Sequence, residues 1–199
     1  MIEQYNDIGT SDQFIGNFLA HQGDLEHIVQ NKVFAVSDTH FHHRNILKYE
    51  AEFRPFKDRD EMDEVLIQRW NEQVGPHDVV FHLGDFALAG KTLTRSIISR
   101  LNGRKFLLLG NHDRDSGFRF EELGFEKVYD KPFIMDGRYL FSHEPIYDDL
   151  PSGFINIYGH VHSKGAETFL PDRFCVCVER HDCRPVEWNY IRGLYENGG

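Results

Sequence analysis

Four short stretches set metal-binding side-chain types directly after apolar runs: Asp38-Thr39-His40, Gly84-Asp85, Gly110-Asn111-His112-Asp113 and Gly159-His160-Val161-His162. A fifth, RYLFSHEP, puts His143 after another such run. Carboxylate, imidazole and carboxamide oxygen form a donor set suited to borderline divalent cations such as Mn2+, Fe2+, Ni2+ or Zn2+. Each stretch alone says little, because a single Asp is often a helix cap and a single His is often a hydrogen-bonded structural residue. Five of them, each after a strand-like run, are not explained by capping. On an extended backbone, residues i and i+2 point the same way, so Asp38 with His40, and His160 with His162, could reach one cluster. Glycine ahead of a donor permits a tight turn and a close backbone approach.

Such donors need a rigid frame. Lys32 to Ser37, DVVFHLGDF and RKFLLLGNHD read as buried strands. Asp58 to Val74 reads as an amphipathic helix with Met62, Val65, Leu66, Trp70 and Val74 on one face, stopped by Gly75-Pro76. KTLTRSIISRLN reads as a second helix, ended by Gly103. Strand and helix alternate, which predicts an α/β layered fold with right-handed crossovers and a site outside the carboxyl ends of the strands. The second half is hairpin-like: KPFIMDGRYLFSHEP turns at Asp136-Gly137, FINIYGHVH and RFCVCVE are strands, and Pro185 to Tyr195 reads as a terminal helix. A mixed sheet or a pair of stacked sheets follows.

Residues 1–30 stand apart from this frame. Phe14, Phe18, Leu19, Leu25, Ile28 and Val29 fall at roughly helical spacing, with Ser11 or Asp12 as the cap. The expectation is a helical extension over 1–30 that docks on a domain of 31–199 and takes no part in the chemistry.

With 199 residues, 40% of them hydrophobic and 17 of them Phe, the chain can build one substantial core. No apolar run approaches the ~20 residues that span a bilayer, and the polar, acidic start is no secretory signal, so a cytoplasmic protein without membrane contact is expected. A net charge of −10 disfavours strong nonspecific binding to nucleic-acid phosphates. The three cysteines, Cys175, Cys177 and Cys183, are too few and too clustered for a disulfide framework. The alternation around Cys175 and Cys177 reads as a buried strand, and a zinc site completed by His181 and Cys183 fits no common spacing.

The series Asp38-x-His40, Gly84-Asp85, Gly110-Asn111-His112-Asp113, His143 and Gly159-His160-x-His162 resembles the calcineurin-like metallophosphoesterase family, and SDTHFHHRN resembles its small, capless bacterial and phage branch. The resemblance implies a sandwich of two mixed β-sheets flanked by helices. It implies two divalent ions, manganese first among Mn, Fe, Ni and Zn. Asp38, His40 and His162 would hold one ion, Asn111, His143 and His160 the other, and Asp85 would bridge them. It makes His112 the substrate-facing catalytic histidine and Asp113 the acid that orients it. His43, at a position often held by His in that branch, becomes a substrate contact. Arg44, Arg54, Arg114 and Lys164, which lie near the motifs, are further phosphate-binding candidates. His42 stands where the branch often has Gly. The implied reaction is hydrolysis of a small nucleotide-type or other phosphodiester by attack of a metal-bridging hydroxide. The alternatives are a phosphomonoesterase or protein phosphatase, and a weakly catalytic protein-interaction scaffold. The extension at 1–30 leaves room for a homodimer or another partner surface.

Overall fold

The computed structural model describes residues 5–13, 31–164 and 168–196. The parallel frame comes first in the chain. Strands β2 (Val33–Val36), β3 (Val79–His82), β4 (Arg104–Leu108) and β5 (Lys127–Tyr129) pair in parallel in that order. Helix α2 (Arg59–Gln73) crosses from β2 to β3, after the short α1 (Ile46–Tyr49), and α3 (Lys91–Arg100) crosses from β3 to β4. Asp58 caps α2 by accepting the Glu61 N–H at 2.9 Å. A last strand, β11 (Val186–Glu187), closes this sheet by pairing antiparallel with β2. The helix expected over Pro185–Tyr195 therefore begins only at Trp188, as α4 (Trp188–Glu196). Val186 and Glu187 are taken by the free edge of β2, whose backbone groups would otherwise lack partners.

The second sheet runs β1 (Asn6–Asp7), β6 (Phe133–Met135), β7 (Tyr139–Phe141), β8 (Ile155–Tyr158), β10 (Arg173–Cys175), β9 (Phe169–Leu170). The β6–β7 hairpin turns at Asp136 and Gly137, with φ 50° and 70°, as the Asp-Gly pair predicts. β7, β8 and β10 are mutually parallel, while β6 and β9 pair antiparallel, so both sheets are mixed. The alternation along the strands builds two cores. Val33, Ala35, Val79, Phe81, Phe106 and Leu108 face Phe133, Tyr139, Phe141, Ile157 and Phe174 between the sheets. Phe34, Val36, Val80 and Leu107 face Met62, Leu66, Trp70, Ile97 and Ile98 of the helices. The result is a two-sheet α/β sandwich flanked by helices.

The helix expected in the segment before β2 starts at a cap at Ser11 or Asp12, and the structure adds an element ahead of it. Asn6 and Asp7 add a parallel strand to β6. A helical turn begins at Ser11, capped by Thr10 rather than by Ser11 or Asp12: Thr10 Oγ1 accepts the Gln13 N–H, and Gln13 Oε1 accepts the Thr10 N–H. The expected apolar positions Phe14, Phe18, Leu19, Leu25, Ile28 and Val29 lie outside the described residues. Among the described residues no helix is long and apolar enough to cross a membrane.

Asp136 fastens both chain ends to the hairpin. Its carboxylate accepts the Ser11 N–H at 2.7 Å, the Ser11 hydroxyl at 2.9 Å and the Trp188 indole N–H at 2.8 Å. Asp136→Ala should lower the unfolding free energy by about 2–3 kcal/mol, since it strands donors that are shielded from water. Asp136→Asn, which tolerates the left-handed turn and keeps one carbonyl oxygen, should cost less. Chemical denaturation of both variants measures the difference.

Candidate metal centre

The expected donors follow the carboxyl ends of five strands from both sheets. Asp38 and His40 follow β2, Asp85 follows β3, Asn111 follows β4, His143 follows β7, and His160 and His162 follow β8. The turns are tied together by main-chain bonds: Asp38 N–H to Gly84 O, His40 N–H to Asp85 O, and Gly159 N–H to His143 O, at 2.9–3.0 Å. The glycines leave room for the donors. A Cβ on Gly84 would stand 2.6 Å from His143 Nδ1, and one on Gly159 would stand 2.4 Å from Asp38 Oδ2.

The side chains gather in three overlapping groups: Asp38–His40–His162, His40–Asp85–His112 and Asp85–His143–His160, the donor atoms of each lying within 4.8 Å of one another. Asp38 is buried. Its Oδ2 accepts the Ser37 hydroxyl at 2.5 Å, the His160 N–H at 2.7 Å and the Cys177 thiol at 3.3 Å. Its Oδ1 has no hydrogen-bond partner, and neither has either ring nitrogen of His40. Asp85 Oδ2 stands 3.5 Å from both His40 Nε2 and His143 Nε2. These spacings exceed hydrogen-bond lengths. They match two atoms sharing one cation, because donors about 2.1 Å from an ion at ordinary bond angles lie about 3.0–3.5 Å apart. His143 donates through Nδ1 to Leu83 O at 2.7 Å, which turns Nε2 toward Asn111 Oδ1 and His160 Nδ1, each 3.1 Å away. Electron-donating atoms thus converge in overlapping groups and leave buried atoms of Asp38 and His40 without partners, which cations would satisfy. The residues fit divalent metal ions on that ground.

The electrostatics make the same demand. Burial alone would raise the Asp38 and Asp85 carboxyls, yet the surrounding histidines hold both below the ordinary carboxylate range. Burial opposes a charge on His143, but Asp85 and Asp38 push its pKa up to about 9. His162 is likewise raised against its burial, chiefly by Glu179. His40 is the exception, since burial keeps it neutral. The buried carboxylates thus favour a proton on His143 and, in the same direction, on His162.

Behind this cluster stands a group that no sequence pattern marks. Glu179 Oε1 receives His162 Nδ1–H at 3.0 Å and pairs with Arg54 Nη2 at 2.6 Å. Arg54 also donates to the carbonyls of Asp38 and Thr39, at 2.5 and 2.8 Å. Both side chains are fully buried, so Arg54 is no phosphate ligand: it holds the turn that carries Asp38 and His40. Asp113 also differs from expectation. Its buried carboxylate accepts the main-chain N–H groups of Asp85, Phe86 and Gly110 and makes no hydrogen bond to the His112 ring. It therefore fixes the backbone on either side of Asp85, and His112 is placed through its own N–H, which donates to Asp85 Oδ1 at 3.0 Å.

The paired donors do not sit on the extended backbone that their i, i+2 spacing suggests. Asp38, His40, Asp85, His160 and His162 have φ between 46° and 69°, a left-handed and not an extended backbone. The pairs converge because the chain coils at each strand end. His42 shares this conformation at φ 62°, which accounts for a position where Gly is common, and Asp63 holds its N–H at 2.7 Å. His43 lies 5.4 Å from the His40 ring and 6.3 Å from that of His112. Burial and then these neighbours lower its pKa to about 4, and the Asn45 N–H donates to its Nδ1, so the neutral ring carries its proton on Nε2. Arg114 is exposed but tied to the carbonyls of Leu109 and Asp130. Arg44 lines a separate surface groove with Lys48 and Lys57. The carbonyl of Lys164 accepts from Arg180. His82, inside β3, accepts the Gly84 N–H at Nδ1 and donates from Nε2 to Thr39 Oγ1. The cysteines are buried and free, His181 bonds the Cys175 carbonyl, and among the described residues no metal-type cluster includes a cysteine.

The family profile of the calcineurin-like phosphoesterases matches residues 31–193. The chain belongs to this family. It is a metal-dependent phosphoester hydrolase. An uncharacterized protein of Methanocaldococcus jannaschii is 32% identical over 176 residues, covering 84% of this phosphoesterase and 93% of the relative. The gene 66 protein of a Mycobacterium phage is 40% identical over 90 residues, covering 42% of the chain and 41% of the phage protein. Among solved structures, a protein of unknown function from Aquifex aeolicus superposes with a TM-score of 0.65 at 28% identity, over 82% of this chain and 99% of that one.

Metal binding to the phosphoesterase must displace the second ring proton of His143. Affinity should therefore rise as pH climbs toward about 9, by roughly tenfold per pH unit for each proton displaced, and level off above that. Calorimetric titration with Mn2+ in buffers of different ionisation enthalpy counts the protons released.

Proposed function

We propose that this phosphoesterase is a cytoplasmic binuclear phosphodiesterase acting on a small nucleotide-type or similar diester. Asp38, His40 and His162 hold one ion, Asn111, His143 and His160 hold the other, and Asp85 serves both. The observation that carries the two-ion reading is the position of Asp85 Oδ2, equidistant at 3.5 Å from one imidazole of each set. Manganese is the ion we favour on the family resemblance, and the carboxylate, carboxamide and imidazole donors suit it as they suit Fe2+, Ni2+ or Zn2+. When bound, the ions supply Lewis-acid polarisation of the phosphoryl oxygens and lower the pKa of the attacking water.

The chain's own residues supply orientation and proton transfer. His112 is half-buried, its main chain is fixed by Asp85, and its ring lies 5.3 Å from that of His40. It is placed to donate a proton to the departing oxygen. His43 offers an Nε2–H to a phosphoryl oxygen as a neutral donor. Two cavities support a diester over a monoester. One, of about 580 Å3, is lined by Asn111 and His143. The other, of about 540 Å3, is lined by His112 together with Arg59, Leu88 and Phe118. A phosphorus with a substituent on each side uses both, whereas a monoester leaves one unused.

The first test is hydrolysis of bis(4-nitrophenyl) phosphate against 4-nitrophenyl phosphate by Mn2+-reconstituted protein. A faster monoester reaction overturns the diester reading. His112→Ala should retain both ions and lose about 10²–10⁴-fold in kcat. Asp85→Asn should lose ions first, read by elemental analysis after gel filtration, and the opposite pattern would reverse the roles.

A further inference from the structure

The 580 Å3 cavity that opens at Asn111 and His143 has a wall from outside the family domain. Tyr5 lines it, together with Pro132, Ile146, Arg114, Glu144 and Asp149. Strand pairing holds Tyr5 there. Asn6 stands opposite Phe133 in the parallel β1–β6 ladder, so the preceding Tyr5 falls beside Pro132. The ladder is locked further along by Ile8 N–H to Ile134 O at 2.9 Å and by Ser11 on Asp136. Ile146, which also lines the cavity, is held as well, because its N–H donates to the buried Asn156 Oδ1 at 2.8 Å. The Arg114 guanidinium is oriented by its two carbonyl acceptors, at 3.0 and 2.9 Å.

On these grounds we infer that this cavity receives the ester substituent that stays on phosphorus, and that Tyr5 is a specificity-determining residue for it. The inference rests on the diester reading above. His112 faces the other cavity, which gives that side to the leaving group and this side to the retained one. The chemistry of the walls names the class of substituent. Tyr5, Pro132 and Ile146 present half-buried apolar faces, suited to a planar ring. Glu144 and Asp149 place two carboxylates against the single cation of Arg114. That balance rejects a second phosphate and favours an uncharged group with N–H or O–H donors. A nucleoside has both properties. A cavity of 580 Å3 is also of ordinary size for a ligand of that kind. Tyr5, which lies ahead of the family domain, then takes part in substrate recognition, a role the sequence alone does not give to the residues before 31.

Two diesters that release the same group isolate the retained one: bis(4-nitrophenyl) phosphate keeps an aryl ring, and methyl 4-nitrophenyl phosphate keeps a methyl. The metal-loaded full chain should prefer the aryl diester in kcat/KM beyond the difference in their uncatalysed rates. Tyr5→Ala should reduce that preference roughly 3–10-fold, mostly through KM for the aryl diester, while the methyl diester is cleaved as before. Tyr5→Phe should keep the preference. Ile146→Ala, in the same cavity lining, should lower it in the same way and serves if Tyr5→Ala does not fold. Free uridine or adenosine should compete with the aryl diester, with an inhibition constant that rises in Tyr5→Ala, while that of inorganic phosphate stays unchanged. An unchanged aryl preference in both folded alanine variants overturns the inference and leaves the diesterase reading intact. Hydrolysis of 4-nitrophenyl phosphate with neither diester cleaved overturns both, because a monoester retains no substituent.

Discussion

Two carboxylates withdrawn from water set the terms for this structure. Asp38 and Asp85 sit at the ends of adjacent parallel strands, almost wholly buried, and a buried negative charge is tolerated only beside positive charge. One sheet cannot surround them. Sheet β11-β2-β3-β4-β5 supplies the acids, His40 and Asn111, while the other sheet brings His143, His160 and His162 over the top. The packing of Phe81 against Phe133 and Phe141, with ring centroids 5.6 and 5.9 Å apart, is therefore more than core filling. It holds the two halves of the donor set in register, and a slip between the sheets would separate acids from imidazoles.

A further layer supports the first. Arg54, Glu179 and His162 form a buried chain that starts on the loop after α1, crosses the short helix at Val178–Arg180 and ends in the cluster. Its cost is desolvation, and its return is geometric, because one guanidinium orients the main chain of Asp38 and Thr39 while its carboxylate partner orients an imidazole. Asp113 does similar work for Asp85 from the opposite side.

Much of this was legible in the sequence, and the reasons it was legible also mark where it stopped. The apolar runs before Asp38, Asp85 and Asn111 are buried on both faces, so they read plainly as central parallel strands, and donors placed just beyond them read as a rim. The Asp136-Gly137 turn carries its own local signal. Arg54 and Glu179 carry none: a charged residue that is fully buried looks, in one dimension, like any surface charge. Val186 and Glu187 are a strand only because the edge of β2 is open to them, a fact about the tertiary structure. Asn6 and Asp7 are the same case at the edge of β6. The bearing of Asp113 is hidden because the donors to its carboxylate are main-chain N–H groups from two separate loops, which no residue pattern displays.

The coiled backbone at the strand ends has a consequence for any attempt to move this chemistry elsewhere. Left-handed φ at Asp38, His40, Asp85, His160 and His162 is a conformation that Asp, Asn, His and Gly accept at modest cost and β-branched residues resist. Side chains placed at the same sequence spacing on ordinary extended loops would diverge. A transplant would have to carry the loops themselves, together with the glycines that leave them room, and would succeed only on a host whose two sheets already end in a common rim.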